Sequence, residues 1–150
     1  MGGGAHYELR PADAGDVEFA WRLYEQLMRA RTEALAPWRA ARQREVVESA
    51  VRSGGMRIIV CAGADCGWIH VLGDAEGIEL HQLYIEPARQ NRGIGGSIVR
   101  ALQACAAAAG QPLRLNVLVN NPARRLYERL GFRLERSDAI KHYMAWTAAP

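Results

Sequence analysis

A glycine-rich segment at residues 90–97, with the sequence QNRGIGGS, lies between a predicted strand and a predicted helix. Glycines let the backbone approach a ligand closely, and the first N–H groups of a helix have no acceptor within that helix. These donors, together with the helix dipole, could bind a phosphate group. Ile98 stands where a Rossmann loop would have its third glycine, and no lysine precedes Ser97 as it would in a P-loop. A phosphate site of another kind and a simple tight turn therefore both remain open.

Three side chains outside this segment could move protons. Glu79 and His81 are two residues apart on a predicted strand, so their side chains project to the same side. Either could take a proton from a protonated amine. Tyr127 lies on a predicted helix and, with a reference pKa near 10, stays protonated at pH 7 and can donate its proton. Each also has a structural interpretation. Glu79 could be a surface carboxylate, His81 a half-buried sheet residue, and Tyr127 an aromatic residue that packs its helix on the sheet.

Two sequence patterns follow one another along the chain. Residues 85–95 read I-x-P-x-x-Q-x-x-G-x-G, and residues 120–132 read N-x-x-A-x-x-L-Y-x-x-x-G-F. Both patterns, in this order and spacing, resemble those of the GNAT superfamily of N-acetyltransferases, and the predicted elements agree from Tyr7 to Trp146. The resemblance implies an acetyl-CoA-dependent acyltransferase, which passes the acetyl group to a primary amine by direct attack in a ternary complex.

The resemblance also assigns roles to residues of this chain. Tyr127 matches the tyrosine proposed as the general acid, and Glu79 lies where some family members carry a glutamate base. His81 or a water relay is the alternative base. The backbone amide of Leu83 could polarise the thioester carbonyl. The implied acetyl-CoA contacts are Leu83, Ile85, Gln90, Arg92, Gly93, Gly95, Gly96, Ser97 and Asn120, and the side chains of Arg89, Arg92 and Arg100 could meet its phosphates.

The acceptor is expected to be a small-molecule or peptide amine. In the family, the first two helices and the last two strands shape the acceptor side. A homodimer is open, because sheet edges in such folds often pair. Two rival functions are a non-catalytic acyl-CoA-binding module of the same fold and an arginine-rich RNA-binding protein. The expected acceptor-side residues are Tyr24, Met28, Arg29, Glu33, Trp38, His142 and Tyr143.

The elements that position these residues follow from hydrophobic periodicity. The order is a strand, two helices, a three-stranded meander, a helix, a strand, a helix and two strands, which predicts one α/β domain over residues 1–150, with residues 1–5 as a flexible N-terminal segment. The sheet should be mixed and mostly antiparallel, with about six or seven strands and about four helices. The resemblance implies a GNAT-like sheet splayed between strands four and five. We expect a hairpin turn at 63–67, and a helix that begins with Asn121 as N-cap and Pro122 as first residue.

Composition narrows the class of protein. Hydrophobic residues make up 49% and charged residues 23%, which favours a soluble globular chain without a membrane span. The net charge is +3, but the arginines are scattered, which disfavours nucleic-acid binding. Cys61, Cys66 and Cys105 are odd in number and lack a CxxC pair, which predicts reduced, mostly buried thiols, with Cys105 inward, in a cytoplasmic protein. The histidines lack metal-ligand spacing, so no metal is expected.

Overall fold

Seven strands form one sheet in the computed structural model, which describes residues 5–150. Of the predicted flexible segment, residues 1–4 lie outside the described residues. Every helix within residues 5–150 is too short or too polar to cross a bilayer. The strands are β1 (Glu8–Pro11), β2 (Met56–Cys61), β3 (Ala64–Asp74), β4 (Gly77–Ile85), β5 (Leu113–Leu118), β6 (Arg133–Ser137) and β7 (Lys141–Trp146), and the helices are α1 (Val17–Glu33), α2 (Ala40–Arg52), α3 (Ile94–Ala109) and α4 (Arg124–Arg129).

The sheet opens between its fourth and fifth strands. Its order is β1-β2-β3-β4-β5-β7-β6, and every neighbouring pair is antiparallel except the parallel pair of β4 and β5. These two strands pair only where Ile78, Glu79 and Leu80 face residues 113–115. Beyond Leu80 they separate, so within residues 5–150 the rest of that edge of β4 has no strand beside it. The predicted mixed sheet, splayed between strands four and five, is confirmed.

Helices cover both faces of the sheet. Ile58 and Trp68 pack in a core cluster with residues of α1 and α2. Their chain neighbours Ile59 and Ile69 pack in another cluster with residues of α3. Because successive strand residues point to opposite faces, α1 and α2 lie on one face of the sheet and α3 lies on the other. A ligand between β4 and β5 could therefore contact residues from both sides.

A β-bulge in β4 changes which residues face each side. Leu80 pairs with Val71 and Gln82 pairs with His70, which leaves His81 as the extra residue. Leu80 packs in the cluster that contains α3 residues, and Leu83 packs on that same side although it is an odd number of residues away. The bulge therefore moves the alternation of β4 by one position, which no periodicity in the sequence reveals.

Cys61 and Cys66 are buried as predicted, but the predictions of reduced thiols and of an inward Cys105 are wrong. Cys61 and Cys66 are joined as a disulfide, with their Cα atoms 6.0 Å apart, and Cys105 is an exposed free thiol. The expected hairpin turn at 63–67 is also wrong in length, since β3 already begins at Ala64. Ala62 has a φ of 51°, a left-handed conformation that alanine rarely adopts, so a two-residue turn here was not expected. A shift in register between Ile59 and Val60 leaves Cys66 unpaired in the ladder, whereas Cys61 pairs with Ala64.

The start of the last helix also differs from its prediction. Asn121 does accept a hydrogen bond through its side chain, from the backbone N–H of Ala123 at 2.9 Å. However, Pro122 and Ala123 form a turn, and α4 begins at Arg124. Asn121 therefore caps a turn that leads into the helix, and α4 itself carries Leu126 and Tyr127 of the pattern at 120–132.

Candidate active site

A cleft of about 850 Å³ lies beside the end of β4, past the point where β5 separates from it. Its walls come from the end of β4, the loop at 89–93, the first turn of α3, α4 with the turn before it, and three residues of α1. Seven of the predicted site residues line it: Leu83, Ile85, Gln90, Gly93, Gly95, Gly96 and Tyr127. Five do not line it: Glu79, His81, Arg92, Ser97 and Asn120.

The first turn of α3 forms one end of the cleft. Gly93 caps the helix with a φ of 83°, a conformation that glycine adopts without strain. The amide of Ser97 donates to the carbonyl of Gly93 at 3.0 Å, so the first free amides of the helix are those of residues 94–96. A Cβ on Gly95 would contact Ile85 at 3.6 Å and would take up space in the cleft. The glycines at 93, 95 and 96 therefore leave room for a phosphate against free N–H donors.

The loop before α3 is held against β4. The side-chain amide of Gln90 donates to the carbonyl of Ile85 at 2.8 Å. The guanidinium of Arg89 donates to the carbonyl of Cys61 at 3.3 Å, which connects the loop to the hairpin of β2 and β3. Arg92 is exposed and lies outside the walls of the cleft. The loop geometry thus depends on Gln90 and Arg89, while Arg92 is free to meet solvent.

The cleft is strongly basic. Two of its arginines, Arg125 and Arg129, lie four residues apart on α4 and were not among the predicted site residues. Their spacing places them on one helix face, and this was the signal in the sequence that could have found them. The residues that line the cleft include no aspartate or glutamate. The full set of lining arginines is Arg31, Arg89, Arg100, Arg125 and Arg129.

Tyr127 brings a protonated hydroxyl to the cleft. Its side chain is 6% exposed, and its ring packs edge-on against Phe132 with ring centroids 5.7 Å apart. Within residues 5–150, its hydroxyl has no hydrogen-bond partner. Burial raises the pKa of Tyr127 to about 12, because the phenolate would lose its solvation. The hydroxyl is therefore a neutral donor at physiological pH.

Glu79 and His81 meet on the face of β4 opposite α3. His81 Nδ1 lies 3.2 Å from Glu79 Oε1, so the prediction that both side chains project to the same side agrees with their contact. Both are about two-fifths exposed, with side-chain values of 42% for Glu79 and 39% for His81. They are thus a solvent-connected acid–base pair near the start of the splay, outside the walls of the cleft.

Three further polar residues continue from this pair toward the cleft, and the sequence did not single them out. The ring of His70 packs edge-on against that of His81 with centroids 5.3 Å apart, and its Nε2 lies 3.0 Å from Ser53 Oγ. Burial, with a smaller contribution from His81, lowers the pKa of His70, which keeps it neutral at pH 7. Gln82 is buried next to it, and Tyr84, whose pKa burial raises far above its usual value, lines the cleft.

Asn120 is hydrogen-bonded to α1. Its side-chain amide donates to the backbone carbonyl of Arg31 at 3.0 Å, which joins the turn before α4 to the end of α1. It therefore fixes the distance between two walls of the cleft without lining it. Whether it also orders the coenzyme stays a prediction.

The expected acceptor-side residues lie in several places. Met28 lines the cleft, whereas Arg29, Glu33 and Trp38 line a separate depression of about 310 Å³. Tyr24 is buried, and its hydroxyl donates to Gln43 at 2.5 Å. The remaining two lie on β7, where the His142 ring is hydrogen-bonded to Arg124 and Ser137, and the Tyr143 hydroxyl donates to Asp138. Within residues 5–150, no group of three or more His, Cys, Asp or Glu side chains could hold a metal ion.

Comparison with known proteins agrees with this architecture. A family model described as acetyltransferase (GNAT) domain matches residues 53–134, which is more than half of the chain. The fold is similar to that of the PaiA N-acetyltransferase from Thermoplasma acidophilum in complex with coenzyme A, with a TM-score of 0.71, 18% identity and coverage of 95% of this chain and 99% of that one. An acetyltransferase from Thermus thermophilus gives a TM-score of 0.73 with 17% identity, covering 95% and 97% of the two chains. Arabidopsis thaliana NAA60 in complex with a bisubstrate analogue gives 0.66 with 17% identity, covering 95% and 98%. No curated protein sequence matches the chain.

Proposed function

Because this chain belongs to the GNAT acetyltransferase family, we propose that it transfers the acetyl group of acetyl-CoA to a primary amine by direct attack in a ternary complex. The observation that carries the proposal is the cleft itself. It combines free helix amides and five arginines with a buried tyrosine hydroxyl, and it lies where the sheet opens. Phosphate binding and proton donation can therefore act on one elongated ligand.

The cleft fits acetyl-CoA, which when bound supplies an acyl group activated as a thioester. The amides at Gly95 and Gly96 would hold the diphosphate, and the lining arginines other than Arg31 would balance its charge. Past Leu80, β4 has no strand on its β5 side, so its backbone near Leu83 and Ile85 is available to an extended ligand. The roles of Arg92, Ser97 and Asn120 as coenzyme contacts remain part of the proposal.

The reaction needs one group to remove a proton and one to supply a proton. As the amine nitrogen forms a bond to the acetyl carbon, it gives up a proton, and when the carbon–sulfur bond breaks, the thiolate takes one up. We assign the first step to the pair of Glu79 and His81, with either residue as the final acceptor. The donor to sulfur is the hydroxyl of Tyr127, and the Leu83 amide would stabilise the oxyanion of the tetrahedral intermediate.

The exposed position of Glu79 and His81 favours a proton path to solvent over direct contact with the amine. Tyr84, Gln82 and His70 lie between the cleft and His81, but His70 Nδ1 and Gln82 Oε1 have no hydrogen-bond partner within residues 5–150, so water would have to complete a proton path along them. Because Glu79 and His81 lie outside the walls of the cleft, their position is also compatible with the rival function, a non-catalytic acyl-CoA-binding module. The two functions differ in turnover, so turnover is what must be measured.

Acetyl transfer is tested with a panel of amines, with acetylated product measured by mass spectrometry and acetyl-CoA binding measured by calorimetry. Glu79→Gln and His81→Asn are compared with wild type to decide which residue takes the proton. We expect wild-type turnover on at least one amine, and a loss of kcat in one of these variants while acetyl-CoA affinity is kept. Tight acetyl-CoA binding with no turnover on any amine would support the binding module instead.

A further inference from the structure

The cleft has a second end, formed by α1. Leu27, Met28 and Arg31 are the α1 residues in its walls, and α1 lies on the face of the sheet opposite α3. The free amides that would bind the phosphates are on α3. An elongated ligand bound to them would therefore start on the α3 face of the sheet and end near α1 on the opposite face. The α1 end is therefore where an acceptor would meet the acyl group.

Arg31 presents a guanidinium at this end without an internal counter-ion. Within residues 5–150, its side chain forms no ion pair, whereas Arg29 on the same helix pairs with Glu25 and Glu33 at 3.6 and 2.6 Å. Its backbone is fixed by the hydrogen bond from Asn120. Arg31 thus presents a half-buried guanidinium with no ion-pair partner within residues 5–150, on a backbone that Asn120 holds. A guanidinium can bind a carboxylate through two parallel hydrogen bonds.

The charge of the cleft restricts which amines can enter. Bound acetyl-CoA would offset the charge of the arginines near its phosphates, which leaves Arg31 as the charged wall residue at the α1 end. The wall residues described within 5–150 include no carboxylate, so a polycationic acceptor would find no counter-charge there, whereas an amine with a carboxylate close to it could pair with Arg31. Leu27 and Met28 lie four and three residues before Arg31, so they share its helix face and offer an apolar surface beside the guanidinium.

We infer that the acceptor is a free amino acid, whose carboxylate binds Arg31 and whose side chain packs on Leu27 and Met28. This inference rests on the proposed acetyl transfer and adds the chemical class of its acceptor. Arg31 is on this view a specificity-determining residue, which acts on the acceptor and not on the coenzyme.

Leucine and leucinamide form the decisive pair of substrates, because leucinamide has a neutral carboxamide in place of the carboxylate and is otherwise the same. Rates are compared at equal concentrations of the free-base amine, with spermidine as a polycationic amine. We expect kcat/KM for leucine to exceed that for leucinamide by at least about tenfold, a ratio typical of a hydrogen-bonded charge. Arg31→Gln should remove this preference and leave the KM for acetyl-CoA unchanged. Arg22→Gln, an exposed arginine of α1 outside the cleft, is the matched control and should keep it.

Three results would overturn the inference. If the wild type acetylates leucinamide or spermidine at the same rate as leucine, the acceptor's carboxylate is not recognised. The proposed acetyl transfer itself would still be supported. A rise in the KM for acetyl-CoA in Arg31→Gln, with a normal melting temperature, would assign Arg31 to the coenzyme. If acetyl-CoA binds but no amine is acetylated, the proposed function fails and this inference fails with it.

Discussion

Replacement of Tyr127 by phenylalanine tests the assignment of the proton donor. The substitution removes one oxygen atom and keeps the ring, which is buried against Phe132. Because the hydroxyl has no hydrogen-bond partner within residues 5–150, its loss leaves no other buried polar group unpaired. We therefore expect Tyr127→Phe to fold with nearly unchanged stability, so that any change in rate reports on the chemistry.

The size of the effect follows from the burial of the hydroxyl. Burial raises the pKa of Tyr127 to about 12, whereas an ordinary thiol has a pKa of about 8.5. Complete proton transfer to a thiolate is therefore uphill by about 5 kcal/mol. In the transition state Tyr127 should therefore act mainly through a hydrogen bond to the charged sulfur, and such bonds contribute about 1.5–3 kcal/mol. Its proton would pass to the thiolate afterwards and be replaced from solvent. We predict that kcat falls by about 10- to 150-fold, which is below the upper range for full general-acid catalysis.

The assay should measure the acetylated product directly, because Cys105 is an exposed free thiol that would react with dyes used to detect CoA. Tyr24→Phe is the matched control. Tyr24 is also 6% exposed, and burial raises its pKa to about 12, but its hydroxyl donates to Gln43 and does not line the cleft. It should lose stability and keep kcat, the opposite of the result expected for Tyr127→Phe.

The pH dependence gives an independent check. A raised pKa at Tyr127 keeps its protonated form present to about pH 11, so kcat should show no falling limb between pH 7 and pH 10. A limb near pH 9 that disappears in Tyr127→Phe would refute the effect of burial. A loss of kcat smaller than threefold in that variant would refute the role of the hydroxyl.

Other substitutions test an ion pair and a strand pairing that stabilise the fold, and the loop that borders the cleft. Arg10 donates two hydrogen bonds to Asp16 and lowers its pKa, so this pair stabilises the fold above about pH 4 and the effect is lost as pH falls through the lowered pKa. Asp16→Asn should lower the free energy of unfolding by about 1–3 kcal/mol at pH 7 and flatten its acid limb in urea titrations at several pH values. Gly67→Ala would place a Cβ against the carbonyl of Tyr84 and should lower the melting temperature markedly; an unchanged value would contradict the tight pairing of β3 and β4. Gly93→Ala should cost about 1 kcal/mol, because of its positive φ, and weaken acetyl-CoA binding in calorimetry; equal affinity would separate the loop from the coenzyme.

The fold could be predicted from the sequence because its local signals agree with one another. Alternating apolar residues at 113–119 and helical spacing in α1 and α3 correctly indicated the elements, and the two sequence patterns indicated their arrangement. The turn at Ala62 could not be predicted, since it depends on an unfavourable backbone conformation that the surrounding strands impose. The disulfide follows from that turn and its bulge, so it was missed for the same reason.

The candidate site could be predicted where it depends on backbone and motif. The glycine loop and Tyr127 line one cleft, as expected from the two patterns at 85–95 and 120–132 that contain them. Arg31 was missed, because an arginine that lines a cleft has the same local sequence as one that faces solvent. Gln82 and Tyr84 were missed because the bulge at His81 sets their orientation, and only the pairing of β3 with β4 produces it.

A crystal structure with coenzyme A bound is the most direct test of the central claim. The account predicts the diphosphate within hydrogen-bond distance of the amides at the start of α3, and the sulfur within reach of the Tyr127 hydroxyl, between the separated ends of β4 and β5. Density for the diphosphate elsewhere on the surface, or a sulfur atom on the far side of β4 from Tyr127, would contradict it.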